Sequence, residues 1–93
     1  MSSDTIRRHL VVHGKVQGVF FRDSTREKAE NEGVAGWAVN RDDGAVEVVL
    51  EGPRDAVEAV AEYCRSGPAH ARVESVDERS EEEPEGLSGF QIR

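Results

Sequence analysis

The chain has 93 residues, enough for one domain near the lower size limit at which a single hydrophobic core supports folding without staples. Its 19 acids against 12 bases give a formal charge of -7, which disfavours nonspecific binding to a phosphate backbone, because that binding releases counterions from a basic footprint. One cysteine, Cys64, excludes an internal disulfide and a thiolate-rich metal site, and no run approaches the ~18 apolar residues of a spanning helix.

A soluble, cytoplasmic protein with no nucleic-acid or membrane partner is therefore expected. The start, Met1 to Thr5, is polar with no apolar run behind it. The hydrophobic share, 37%, is low, but it clusters in short periodic runs and predicts a folded domain over residues 1–93. Nearly all bases are arginine, with only Lys15 and Lys28 as lysines. An acid-rich, lysine-poor surface suits a salt-loaded cytoplasm, where the Debye length falls to ~3 Å at 1 M, so a halophilic source is expected.

Along the chain, Leu10, Val11 and Val12 between His9 and His13 form a β-prone run that stops at Gly14, the first predicted strand. A glycine-containing loop follows. Asp23 to Glu32 predicts a helix with Asp23 or Ser24 as cap, a thin apolar face of Phe21, Thr25 and Ala29, and Gly33 as its stop. Val34 to Asn40 predicts a second strand, and Arg41, Asp42, Asp43 and Gly44 a hairpin turn carrying the Asp-Gly signal. In the third strand Val46, Val48 and Leu50 share the buried face, while Glu47, Val49 and Glu51 share the open one.

Gly52 and Pro53 end that strand. Val57, Val60, Ala61 and Cys64 then mark the stripe of an amphipathic helix over Arg54 to Arg65, closed by Gly67 and Pro68. Ala71 to Asp77 and Gly89 to Ile92 are the remaining strand candidates, on either side of a charged, solvated loop, Glu78 to Leu87, with the run Glu81, Glu82, Glu83. The order strand, helix, strand, hairpin, strand, helix, strand predicts an α+β fold, the ferredoxin-like βαββαβ sandwich. Its sheet would be four-stranded and antiparallel, with both helices on one face.

The chemistry concentrates in the loop Gly14, Lys15, Val16, Gln17, Gly18, Val19, Phe20, Phe21, Arg22, which runs from a strand end into a helix start. Glycines let such a backbone curl so that successive N–H groups converge, and the helix N-terminus adds about half a unit of positive charge there. A phosphate dianion suits this cradle, and Arg22 can add a bidentate, permanently charged fork. Two glycines four apart fit a tight strand-to-helix turn equally well, so the string matters more than the spacing.

Gly14-x-Val16-Gln17-Gly18-Val19-x-Phe21-Arg22, with Gly36-Trp37-x-Val39-Asn40 further on, closely resembles the acylphosphatase family. Gly44 and the pair Gly52-Pro53 also fall where that family has them, and the likeness fades only after about Pro68. The resemblance implies a monomeric hydrolase of small-molecule acyl phosphates that uses no metal or cofactor. It implies that Arg22 binds phosphate with the backbone N–H groups of Lys15, Val16, Gln17, Gly18, Val19, Phe20, Phe21 and Arg22, and that Asn40 positions the attacking water.

Without the resemblance, Asn40 beside a turn would be read as capping its own backbone. Asp23, a carboxylate next to a phosphate site, is expected to point away as a helix cap. Glu32 stands where the family more often has an apolar residue, and Arg41 where it often has a small hydroxyl. His9 and His13, four apart on a strand, lie roughly 13 Å apart, too far to share a metal. His70 is alone, and Cys64 reads as a small core residue. Two other function classes fit the fold: an RNA-binding or regulatory module, which the acidic third strand disfavours, and a noncatalytic sensor of carboxyl phosphates.

Overall fold

The computed structural model describes residues 4–81 and 83–93, so Met1 to Ser3 of the polar start and Glu82 of the acidic run lie outside the described residues. The chain runs β1 (Thr5–Lys15), α1 (Phe21–Glu32), β2 (Ala35–Asn40), β3 (Val46–Pro53), α2 (Arg54–Ser66), β4 (Arg72–Glu81) and β5 (Phe90–Ile92). Among the described residues no helix is long and apolar enough to cross a membrane.

The strands form one sheet in the order β4-β1-β3-β2-β5. Three pairings are antiparallel, but β2 and β5 run parallel, with Gly36 opposite Phe90 and Ala38 opposite Ile92. The sheet is therefore five-stranded and mixed, which corrects the expected four-stranded antiparallel sheet. Both late strand candidates are used: β4 takes the free edge of β1, and β5 crosses to the free edge of β2. A three-residue strand is too short to show a period in sequence, yet it buries Phe90 against the core.

The core fills the helix side of the sheet. Leu10 and Val12 of β1 and Val46, Val48 and Leu50 of β3 meet Val57, Val60, Ala61 and Cys64 of α2 and Phe21 and Ala29 of α1. Each large side chain so buried contributes ~1.5–3 kcal/mol. The helix stripes read from spacing are the faces actually buried. Arg8, on the same side, reaches Glu58 of α2 and Glu78 of β4. This anchoring, and a β1 that starts at Thr5 rather than His9, gives β4 backbone partners out to Glu81. The expected loop over Glu78 to Glu81 is strand for that reason.

The other face is less open than its alternation suggested. Val49 is buried and Glu51 is only 3% exposed. The Glu51 carboxylate accepts hydrogen bonds from the N–H groups of Glu85 (2.7 Å), Gly86 (3.1 Å) and Leu87 (3.0 Å) and from the Arg7 guanidinium. Residues 85–87 thus wrap a single carboxylate on the way to β5. Burial alone would push the Glu51 carboxyl up, but the N–H groups and Arg7 together hold it below the usual 4.5.

A carboxyl depressed in the folded state contributes stability that is fully present above its unfolded value and is lost as pH falls through its folded value. Glu51→Gln is accordingly expected to lower the melting temperature at pH 7 and to flatten the loss of stability below about pH 4.5. Melts of both proteins from pH 7 to pH 2 check this, and parallel curves would sink it.

Candidate functional site

At the end of β1 the pairing register with β4 shifts between His13 and Gly14. Gly14 has φ 126, and a Cβ there would come within 2.2 Å of the Arg72 carbonyl oxygen, so only glycine fits this bulge. The bulge turns the chain off the sheet into the segment that precedes α1. Val16 and Val19 are buried and pin the segment to the core, while Gly18 takes φ 75 at its outer bend.

Helix α1 starts at Phe21, two residues before the expected cap at Asp23. Its N-cap is Phe20, in the left-handed region at φ 63, and no side chain caps it. The consequence is electrostatic. A Ser or Asp at that position would occupy the first free N–H groups of the helix, whereas here they stay open to a ligand. Among the described residues, the hydrogen bonds of turns and loops include none donated by the N–H groups of Val16 to Phe20.

Part of this segment borders a pocket of about 280 Å³ lined by Val16, Gly18, Phe20, Phe21, Arg22, Asp23 and Asn40. Of the site residues expected from sequence, Arg22 and Asn40 thus meet there, and the loop supplies one wall. Lys15, Gln17 and Val19 do not line it; Lys15 is exposed at the strand end and Val19 is buried in the core. Arg22 is half-buried, and its Nη1 donates to the main-chain oxygen of Arg93 at 3.1 Å. The guanidinium keeps four further N–H donors for an incoming anion.

Asn40 closes β2 opposite Val46, on the sheet face that carries the helices. Its Oδ1 is buried and accepts no hydrogen bond from the described residues. An orphaned buried acceptor costs ~1–3 kcal/mol, which a self-capping Asn would not incur. The adjacent turn closes without it, through Gly44 N–H to Arg41 O (3.2 Å) and Ala45 N–H to Asp43 Oδ1 (3.0 Å). Asp23 departs from expectation, since it lines the pocket and faces Arg26 at 3.8 Å instead of capping the helix.

The resemblance implies a role for Gln17 through its backbone N–H alone, but its side chain also acts. Its side-chain Nε2 donates to the carbonyls of Arg41 (2.8 Å) and Ala45 (2.9 Å), tying the loop before α1 to the turn that follows Asn40. An amide with two donors inside a glycine loop was the one available signal. Cys64, His9 and His13 lie outside the pocket. Cys64 is fully buried in the core, where burial pushes its thiol up to about 12. His9 pairs with Glu47 and His13 with Asp77, each across neighbouring strands. Among the described residues no three His, Cys, Asp or Glu gather as a metal site.

The family model described as acylphosphatase matches residues 8–92. An acylphosphatase of Natronomonas pharaonis is 52% identical over 91 residues, covering 98% of either chain. A solved acylphosphatase of Coxiella burnetii superposes with a TM-score of 0.90 at 40% identity, covering 97% of this chain and 94% of its own. The acylphosphatase of Bacillus subtilis gives a TM-score of 0.91 at 34% identity over 95% and 98%.

Proposed function

The chain belongs to the acylphosphatase family and is a hydrolase of acyl phosphates, and we propose that it works through Arg22, the amides of the loop and Asn40. The observation that carries this reading is the unpartnered Oδ1 of Asn40 in the same pocket as Arg22. The phosphoryl group sits against the N–H groups from Lys15 to Arg22, and Arg22 exchanges the Arg93 carbonyl for two phosphate oxygens. Asn40 Oδ1 accepts a hydrogen bond from a water in line with the scissile P–O bond.

Water oxygen bonds to phosphorus, the carboxylate leaves with the electron pair of the broken P–O bond, and a water proton passes to a phosphate oxygen of the substrate. The leaving carboxylate has a pKa of about 4, so the reaction needs no general acid. Phosphoryl transfer has a loose transition state, and catalysis gains most from fixing the phosphate, stabilising its equatorial oxygens and aligning the water. These residues meet all three needs without a metal or other cofactor.

We further read residues 1–93 as one domain that acts as a cytoplasmic monomer on small molecules, with neither nucleic acid nor membrane as partner. The -7 charge, the single buried cysteine and the scarcity of exposed large apolar side chains support this. The acidic surface supports a halophilic origin, so the melting temperature should rise from dilute buffer to molar salt. The deciding assay is hydrolysis of benzoyl phosphate in molar salt with excess EDTA. Turnover is expected to survive EDTA, and loss of turnover that added metal restores would refute the metal-free mechanism.

A further inference from the structure

Every group assigned so far addresses the phosphate or the attacking water, yet a substrate also has an acyl group. We propose that Phe20 is the acyl-recognition surface of this pocket, and that the enzyme favours uncharged, apolar acyl groups. The inference rests on the hydrolase mechanism above. Phe20 is 75% exposed and is the one large hydrophobic side chain so exposed among the described residues. It takes no part in the core cluster. Its backbone lies at φ 63, ψ 27, where a non-glycine residue is held at a cost of ~1–2 kcal/mol.

A glycine or asparagine would relieve that strain, and a polar side chain would remove the exposed ring. The position therefore carries two costs with no return in packing. What the ring does gain is its place, since Phe20 lines the pocket beside Arg22 and Asn40. With the phosphate seated on Arg22 and the loop amides, the rest of the ligand extends toward the pocket mouth. A phenyl ring there has apolar area and an aromatic face to stack on. Asp23 lines the same pocket, and its carboxylate repels an acyl group bearing a second negative charge.

The test compares kcat/KM for benzoyl phosphate and for acetyl phosphate in the wild type, Phe20→Ala, Phe20→Gly and Phe20→Tyr. The ratio of the two constants is the readout, so a general loss of activity cancels. It is expected to fall roughly 3- to 10-fold in Phe20→Ala and Phe20→Gly, the range of one aromatic contact, and to be largely restored in Phe20→Tyr. A ratio unchanged in both truncations would overturn the proposal. Failure of the wild type on both substrates would instead strike the hydrolase mechanism on which it rests.

Discussion

Arg22→Ala is expected to lower kcat/KM for benzoyl phosphate roughly 1,000-fold or more while the melting temperature barely moves. The size follows from what the guanidinium meets. Charge spreads over the equatorial oxygens in the transition state, and an arginine clamp on a transferring phosphoryl group is worth ~10³–10⁵ in rate. The stability change is small because the side chain is half-buried and its hydrogen bond reaches one main-chain oxygen, that of Arg93. Arg22→Lys should recover only a minor part, since an ammonium keeps the charge but loses the fork. Activity within tenfold of wild type in Arg22→Ala would remove this residue from the mechanism.

Asn40→Ala separates catalysis from binding. Loss of one oriented group should reduce kcat by ~100- to 1,000-fold with KM and inhibition by inorganic phosphate little changed. Stability should move the other way, or not at all, because the mutation deletes a buried acceptor that has no partner. A capping asparagine predicts the reverse, a loss of ~1 kcal/mol with kcat intact. Steady-state kinetics beside thermal melts decide between these, and a raised KM with kcat preserved would reassign Asn40 to binding.

The parts legible in the sequence were those whose signal is local. The stripe of Val57, Val60, Ala61 and Cys64 has a helical period that only one packing face can satisfy, and the Asp43-Gly44 pair marks its turn by backbone chemistry alone. The parts that escaped depend on partners distant in the chain. Glu51 alternates like a solvent-facing residue, and its burial is decided by N–H groups 34 to 36 residues later. The short β5 has almost no period of its own and exists because β2 offers an unpaired edge.

At the site the motif brought Arg22 and Asn40 to one pocket, but two features needed coordinates. The helix begins at Phe21 without a side-chain cap because its N-cap, Phe20, sits in a left-handed turn, a strained choice that propensity argues against. The side chain of Gln17 works across the fold, on carbonyls that no local pattern associates with it.

That side chain also ties the pocket to the non-local pairing of the sheet. Its two acceptors lie 24 and 28 residues further along the chain, and in the fold the pairing of β1 with β3 brings them within reach. Closing such a long loop is an entropic step that local helix formation neither requires nor speeds. Helix formation alone does not bring the loop before α1 to the turn that follows Asn40. Hydrolysis is therefore expected to return in refolding together with the non-local pairing of the sheet rather than with helix formation, which stopped-flow activity and circular dichroism compared on one time axis would check.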